Sequence, residues 1–202
     1  MVIRPYQDQD EASWLRCRVL SFLDTSYYDN VLKEKEHYQN PSIELVALEG
    51  NEVIGLIDIE LENSPGDVCS KNRKGLGGMI WHVAVHPDYR RKGIGRYLLS
   101  EAIERARKYK IKRLEAWTRD DLWVQEWYGK MGFNWIESYL QVYIEGGREL
   151  KGTIESNISQ LYPVFVFAHY SGLDKANIKN KFSRAHETNL YELLLNSGEG
   201  EA

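Results

Sequence analysis

The sequence predicts an α/β protein with a mixed sheet. Two strand-like runs, Ile43–Leu48 and Val53–Leu61, flank the turn residues Glu49–Gly50–Asn51–Glu52, the signature of a hairpin. Helical patterns at 94–106 and 121–131 alternate with strand-like runs at 79–85, 114–118 and 133–144. Such alternation builds a sheet with at least one parallel crossover.

Taken in order, Val2–Ile3–Arg4–Pro5 reads as a short opening strand. Trp14, Leu15, Val19, Phe22 and Leu23 recur at helical spacing, and Asp24–Thr25–Ser26 offers caps for a second short helix. After the hairpin, 63–78 is glycine-rich and loop-like. Met79–Val85 is a strand closed by His86–Pro87–Asp88. Ile94, Tyr97, Leu98, Ala102, Ile103 and Ala106 then form one helical stripe. Leu114–Thr118 is a strand, Asp121–Met131 a helix stopped by Gly132, and Phe133–Ile144 an alternating strand. Beyond Gly146–Gly147 the pattern weakens, with strands expected at Tyr162–Ala168 and Asn189–Leu195 and a charged segment between them. The expected division is a core over 1–145 and a C-terminal extension over 146–202 that completes the sheet within the same domain.

The chain has 202 residues, 43% hydrophobic and 28% charged, as in ordinary globular proteins, so its core needs no disulfide or metal. A net charge of −4 and the lack of a sustained basic stripe exclude a nucleic-acid surface and suit a cationic substrate. Two cysteines, Cys17 and Cys69, without a CxxC, suit a reducing compartment, and the polar N-terminal stretch has no secretory core. The expectation is a cytoplasmic protein with no membrane partner. Residues 156–173 carry no formal charge but include Asn157, Gln160, Pro163 and His169, which reads as a buried strand region.

The informative unit is the strand 79–85, then His86 to Arg96, then a helix. Gly93 and Gly95 let backbone approach a ligand closely. The helix start leaves N–H groups without intrahelical partners and carries about half a positive charge. With Arg90, Arg91, Lys92 and Arg96 this makes a pyrophosphate site. A Walker loop would need Lys-Ser/Thr after the glycine, where Arg96–Tyr97 stands. A Rossmann fingerprint would need a third glycine near Leu98.

The stretch from Val83 to Leu99 instead resembles the central motif of the GNAT superfamily of N-acetyltransferases. That family's acetyl-CoA signature, Arg/Gln-x-x-Gly-x-Gly/Ala, is met by Arg90–Arg91–Lys92–Gly93–Ile94–Gly95. A second element, Glu126–Trp–Tyr–Gly–Lys–Met–Gly–Phe133, resembles the family's Tyr-x-x-x-Gly-Phe helix end. The resemblance covers residues 2 to about 145. It implies the GNAT fold, a mostly antiparallel central sheet flanked by helices. It implies acetyl-CoA as co-substrate, its pyrophosphate on the backbone of Arg91 to Arg96 and its pantetheine arm paired with Val83, Ala84 and Val85. It also implies transfer of an acetyl group to an amine by direct attack, with Tyr128 as general acid toward the CoA sulfur.

The chemistry sets the remaining requirements. An alkyl ammonium of pKa ~10.4 is neutral roughly once in 2,500 molecules at pH 7, a cost of about 4.6 kcal/mol that a base must help with. Family members that use a strand carboxylate carry a Glu early in the strand before the CoA loop, where this chain reads Met79–Ile–Trp–His–Val. His82 is the titratable substitute, imidazole titrating near neutrality, although a His in an apolar strand is more often a hydrogen-bonded core residue. Glu60 and Glu62 end the neighbouring strand and reach toward the same cleft, or are simply solvated. Tyr128, beside Trp127, has core packing as its bland reading. Tyr27, Tyr28, Trp14 and Phe22 line an amine site or form helix core, and Trp81 and Trp117 shape the acceptor side. His169 and His186–Glu187 lack metal-ligand spacing, so no metal is expected. The expected acceptor is a small-molecule amine. Alternatives are a protein or peptide amine and a non-catalytic acyl-CoA-binding module, and the tail offers a surface for a homodimer.

Overall fold

The computed structural model describes residues 1–71 and 73–195, so the last seven residues of the expected extension lie outside the described residues. Among the described residues, eight strands form one sheet: β1 (Val2–Pro5), β2 (Ser42–Glu49), β3 (Glu52–Leu61), β4 (Gly77–Val85), β5 (Arg113–Thr118), β6 (Asn134–Glu145), β7 (Phe165–Tyr170) and β8 (Arg184–Leu194). Their order is β1-β2-β3-β4-β5-β8-β6-β7. Only β4 and β5 are parallel, joined by the helix α2 (Ile94–Lys108) as crossover; every other pair is antiparallel.

Helices cover both faces of the first half of the sheet. α1 (Glu11–Phe22) brings Trp14 and Cys17 onto Val46, Leu48, Val53, Leu56 and Ala84. On the opposite face α2 lays Ile94, Leu98, Leu99, Ala102 and Ala106 against Ile43, Leu45, Ala47, Ile57, Ile59 and Ile80. Strands covered on both sides have no polar face to show, which is why β2 and β3 read as near-continuous apolar runs. α2 sits close because Gly55 lies beneath it: a Cβ there would stand 2.8 Å from Ile94 Cγ2. α3 (Leu122–Lys130) joins the α2 face through Trp127 and Tyr128.

Beyond β5, the face opposite α2 carries Trp117, Tyr139, Gln141 and Tyr143. Two short helices, α4 (Gly146–Leu150) and α5 (Lys175–Lys181), pack with β6, β7 and β8 around Leu140, Val142, Ile144 and Phe182.

Three sequence expectations are corrected. No second helix follows the capping residues at 24–26; residues 24–29 are a run of turns and bends and 30–41 are irregular, held by side-chain bonds rather than by a helical stripe. The uncharged stretch at 156–164 is not a buried strand: Ile158, Leu161, Tyr162 and Val164 are exposed, and the strand begins only at Phe165. The last strand starts at Arg184, five residues before its apolar run, because polar His186, Glu187 and Thr188 also pair with β6.

Candidate active site

The site is a parting of the two parallel strands. β4 and β5 pair only over Gly77–Ile80 and Arg113–Ala116. β4 then runs on to Val85 with no described strand beside its outer edge: the parallel pairing stops at Ala116, while β5, held along its other edge by β8, ends at Thr118. The parting begins at an irregularity: Ile59 pairs with Ile80 and Asp58 with His82, leaving Trp81 as an extra residue. A bulge bends its strand and re-aims side chains. The first residues past the last shared rung are thus Trp81, 49% exposed, and Trp117.

At the end of β4 the chain makes a one-turn 3₁₀ helix, Pro87–Tyr89, capped by His86 Nδ1, which accepts from Asp88 N at 3.3 Å. Two left-handed residues follow, Arg91 (φ 61°) and Gly93 (φ 81°), and α2 starts directly after Gly93. Gly93 has no side chain to cap the helix, and no acid stands in the first turn. The N–H groups of Ile94, Gly95 and Arg96 are therefore left without a side-chain cap, an arrangement that can hold an anion. The side chains of Arg91, Lys92 and Arg96 are exposed beside it, Lys92 over the Tyr89 ring at 4.6 Å. Gly95 is buried, its Cα facing Trp127, whose ring a Cβ would meet at 3.4 Å.

Arg90 is placed differently from its neighbours. Its guanidinium holds Asp24 by two bonds of 2.5 and 2.9 Å, donates to Ser21 O at 2.8 Å, and stacks over Trp123. It anchors the segment after α1 instead of facing outward with Arg91 and Lys92. Val83 and Val85 pack against the α2-side core, and Ala84 packs against the α1 side.

The segment 21–30 is a strap across the parted strands. Arg90 fixes one end beyond β4. The other end reaches the β5–β8–β6 side, where Ser26 Oγ donates to Asp121 at 2.6 Å and Asp29 takes two bonds from Arg184 at 2.6 and 2.9 Å. Between them Arg119, buried, lies over Tyr27 at 4.2 Å and donates to Ser26 O, Tyr143 Oη and Gln141 Oε1.

Tyr128 comes from the opposite face. It is 3% exposed, stacks on Tyr191 at 5.4 Å, and meets Trp127 and Phe133 edge-on. Burial, with a smaller push from nearby Tyr27, raises its phenol well above the ordinary value, so it remains protonated and able to donate. Tyr27 is itself pushed up by burial to about 12.

His82 lies under the strap, 6% exposed, edge-on to Trp14 at 5.3 Å. Both ring nitrogens are engaged: Nε2 is 2.5 Å from Glu36 Oε2, and Nδ1 accepts from Arg18 Nε at 3.4 Å. Arg18 is held in turn by Asn30 through O and Oδ1, each at 2.8 Å. Asp58, the cross-strand neighbour of His82, bonds Lys35 at 3.0 Å and Tyr38 at 3.3 Å. Burial raises its carboxyl above the ordinary value, Lys35 and His82 opposing.

Of the two acids considered beside His82, Glu60 does lie at the cleft, accepting from Trp81 Nε1 at 2.9 Å and from Asn40. Glu62 does not. It is buried at the far end of the sheet, where it accepts from the backbone of Gly66, Cys69 and Gly77 and pairs with Arg113.

The acetyltransferase (GNAT) family model matches residues 7–133, well over half of the chain. The chain belongs to the GNAT acetyltransferase family. The match ends at Phe133, so β6, β7 and β8 lie outside it. A relative in Pyropia yezoensis, an uncharacterised N-acetyltransferase called ycf52, is 29% identical over 91 residues, 44% of this chain. The match spans about half the length of that relative, 51%.

Among solved structures, the ribosomal-protein-S18-alanine N-acetyltransferase of Escherichia coli superposes with a TM-score of 0.55 at 13% identity, covering 100% of this chain and 98% of that one. A GNAT family acetyltransferase of Elizabethkingia anophelis with acetyl-CoA bound gives 0.52 at 17% identity, covering 96% and 97%. At such identities the likeness is one of fold. Among the described residues of this GNAT chain, no group of three or more His, Cys, Asp or Glu stands together as a metal site. No described helix is long and apolar enough to cross a membrane.

Residues 21–41 supply most of what sequence reading missed here. Asp24, Glu36 and Asn30 sit in polar stretches such as Lys33–Glu34–Lys35–Glu36–His37, which read as solvated because they have no periodicity.

Proposed function

We propose that this chain transfers the acetyl group of acetyl-CoA to the primary amine of a small molecule. The observation that carries the reading is the parting of β4 and β5, open to an extended ligand, with the uncapped start of α2 and three exposed cations at one end. A pyrophosphate fits that helix start and Arg91, Lys92 and Arg96. An extended amide-bearing arm fits the unpaired edge at Val83–Val85. Arg90, spent on Asp24, keeps the strap in place instead.

The acceptor side favours a cation. Glu60 and Glu36 supply negative charge, and Trp81 and Trp117 offer ring faces at the mouth of the parting, which attract an ammonium group by about 0.5–2 kcal/mol. The strap favours a small acceptor over a peptide, such as the ribosomal-protein alanine that the Escherichia coli neighbour's name describes. A peptide needs an open groove, and residues 24–29 are bonded across that path to Asp121, Arg119 and Arg184.

During transfer the amine must lose a proton on the His82 side, and the thiolate must be stabilised on the Tyr128 side. Tyr128 serves as hydrogen-bond donor to sulfur. Its raised pKa makes complete proton transfer to a thiolate of pKa ~8.5 uphill, so donation without transfer fits better.

The experiment is thiol release from acetyl-CoA against polyamines, aminoglycosides, amino acids and short peptides, with wild type and Tyr128→Phe. Turnover with one amine class, falling by about ten- to a hundredfold in the variant, is expected. Peptide turnover alone would replace the small-molecule reading. Binding of acetyl-CoA with no turnover across the panel would support the non-catalytic module, and an unchanged kcat in Tyr128→Phe would remove that residue from the mechanism.

A further inference from the structure

The His82 ring offers no free nitrogen to a substrate. Arginine has only donors, so the contact from Arg18 Nε makes Nδ1 an acceptor and leaves the imidazole proton on Nε2. That proton is donated to Glu36 Oε2 at 2.5 Å. Glu36 is the open member of the pair: its side chain is 46% exposed against 6% for His82, and only one of its oxygens is used by the ring. It also stands at the right place. His82 and Trp81 are the residues at the bulge where β4 leaves β5, so a group bonded to His82 borders the start of the parting.

We propose that Glu36, not His82, takes the proton from the acceptor amine, and that His82 is the positioning residue behind it. This rests on the acetyl-transfer reading above. The nitrogen lone pair forms the new C–N bond, and the C–S bond electrons leave with sulfur. The nitrogen gives its proton to the Glu36 carboxylate, which passes it to solvent, and the thiolate is held by Tyr128 and protonated from solvent.

The surroundings suit the task. From α1 comes Arg18, from β3 Asp58, and from Glu36's own segment Lys35 and Tyr38; Lys35 is shared with Glu44 of β2. The His82 hydrogen bond, partly opposed by burial, holds the Glu36 carboxyl below its ordinary range, so the group is ionised at neutral pH and, being a weak base, takes the proton as C–N bond formation makes the nitrogen acidic. Lys35 is buried among the rings of Tyr6, Trp14 and Tyr38 at 4.9, 5.4 and 5.1 Å, which fixes the residue next to Glu36.

The test compares Glu36→Ala, Glu36→Gln, His82→Gln and His82→Leu with wild type on whichever amine turns over. Each variant is checked for thermal unfolding and acetyl-CoA affinity. Glu36→Ala and Glu36→Gln should lose about a hundredfold in kcat with acetyl-CoA binding retained. Added formate should restore part of the loss in Glu36→Ala, which a merely structural residue would not show. His82→Gln, whose amide can still donate to Glu36, should keep most of the activity, while His82→Leu should not.

A His82→Gln as inactive as Glu36→Ala would put the proton on the imidazole and overturn the proposal. So would Glu36 variants with kcat within about threefold of wild type, or a Glu36→Ala deaf to formate. Wild type that binds acetyl-CoA yet acetylates no amine would overturn this and the transfer reading together. Active wild type with indifferent Glu36 variants would overturn this alone.

Discussion

At the scale of single residues, the turn that opens α2 depends on what is missing from two side chains. Gly93 at φ 81° has a backbone that L-residues adopt at a cost of about 1–2 kcal/mol, and Gly95 leaves room for Trp127. Gly95→Leu should force Trp127 aside, and with it Tyr128, whose ring lies 5.0 Å away. Overpacking of this kind costs about 1–3 kcal/mol, and each kcal/mol lowers Tm by about 2–4 °C at this length. A melting curve checks the first effect, and a weaker Kd for acetyl-CoA by calorimetry checks the second. Both glycines were legible from their spacing after a strand. Arg90 was legible as part of the same signature, but its partner was not. Nothing local in the sequence announces that Asp24, 66 positions earlier, takes the guanidinium.

At the scale of elements, periodic segments were read closely and aperiodic ones were not. β2, β3, β4, α2, β5, α3 and β6 each bury a face or two, which imposes a period on the sequence, and their expected bounds differ from the observed by one or two residues at most ends. The strap and the run from 31 to 41 are held by specific polar bonds, which leave no period. That is why the helix that carries Tyr128 and the turn before α2 could be located while the surroundings of Glu36 could not.

The same difficulty hid the anchor of α5. Glu187 of β8 receives Lys179 at 2.9 Å, Lys175 at 3.1 Å and Ser138 at 2.8 Å. These bonds, Lys179 first, hold its carboxyl down at about 2. The folded value lies below the unfolded one, so its stabilisation is complete above about pH 4.3 and is lost as pH falls toward 2. Glu187→Gln should flatten the fall of Tm across that window and leave Tm nearly independent of this group's titration. A set of melts from pH 6 to 2 decides it; parallel curves for the two proteins would count against the assignment.

At the scale of the whole molecule, the sheet changes character at the parting. The first half is sandwiched between α1 and α2, whereas on the second half the face away from α2 carries polar and aromatic side chains near the strap. β7 forms one edge, with Phe165 and Phe167 partly exposed, and β8 is interior, paired on both sides. Amide exchange should therefore be slowest over Asn189–Glu192, among strands β5 and β6, and fast on the outer edge of Phe165–Tyr170. Fast exchange at 189–192 would contradict the strand order. The sequence shows an apolar run at 189–195 but not its neighbours, because strand order is a matter of long-range pairing that an isolated run does not encode.

That interior position of β8 has a consequence for how the protein is made. As the chain leaves the ribosome, the edge of β5 and the inner edge of β6 are finished long before residues 184–194 exist. At about 5–20 residues per second, the newborn chain spends several seconds with two open strand edges and no partner for either. Variants that slow delivery of the last strand should therefore show their defect as aggregation during expression, while the purified native protein melts normally.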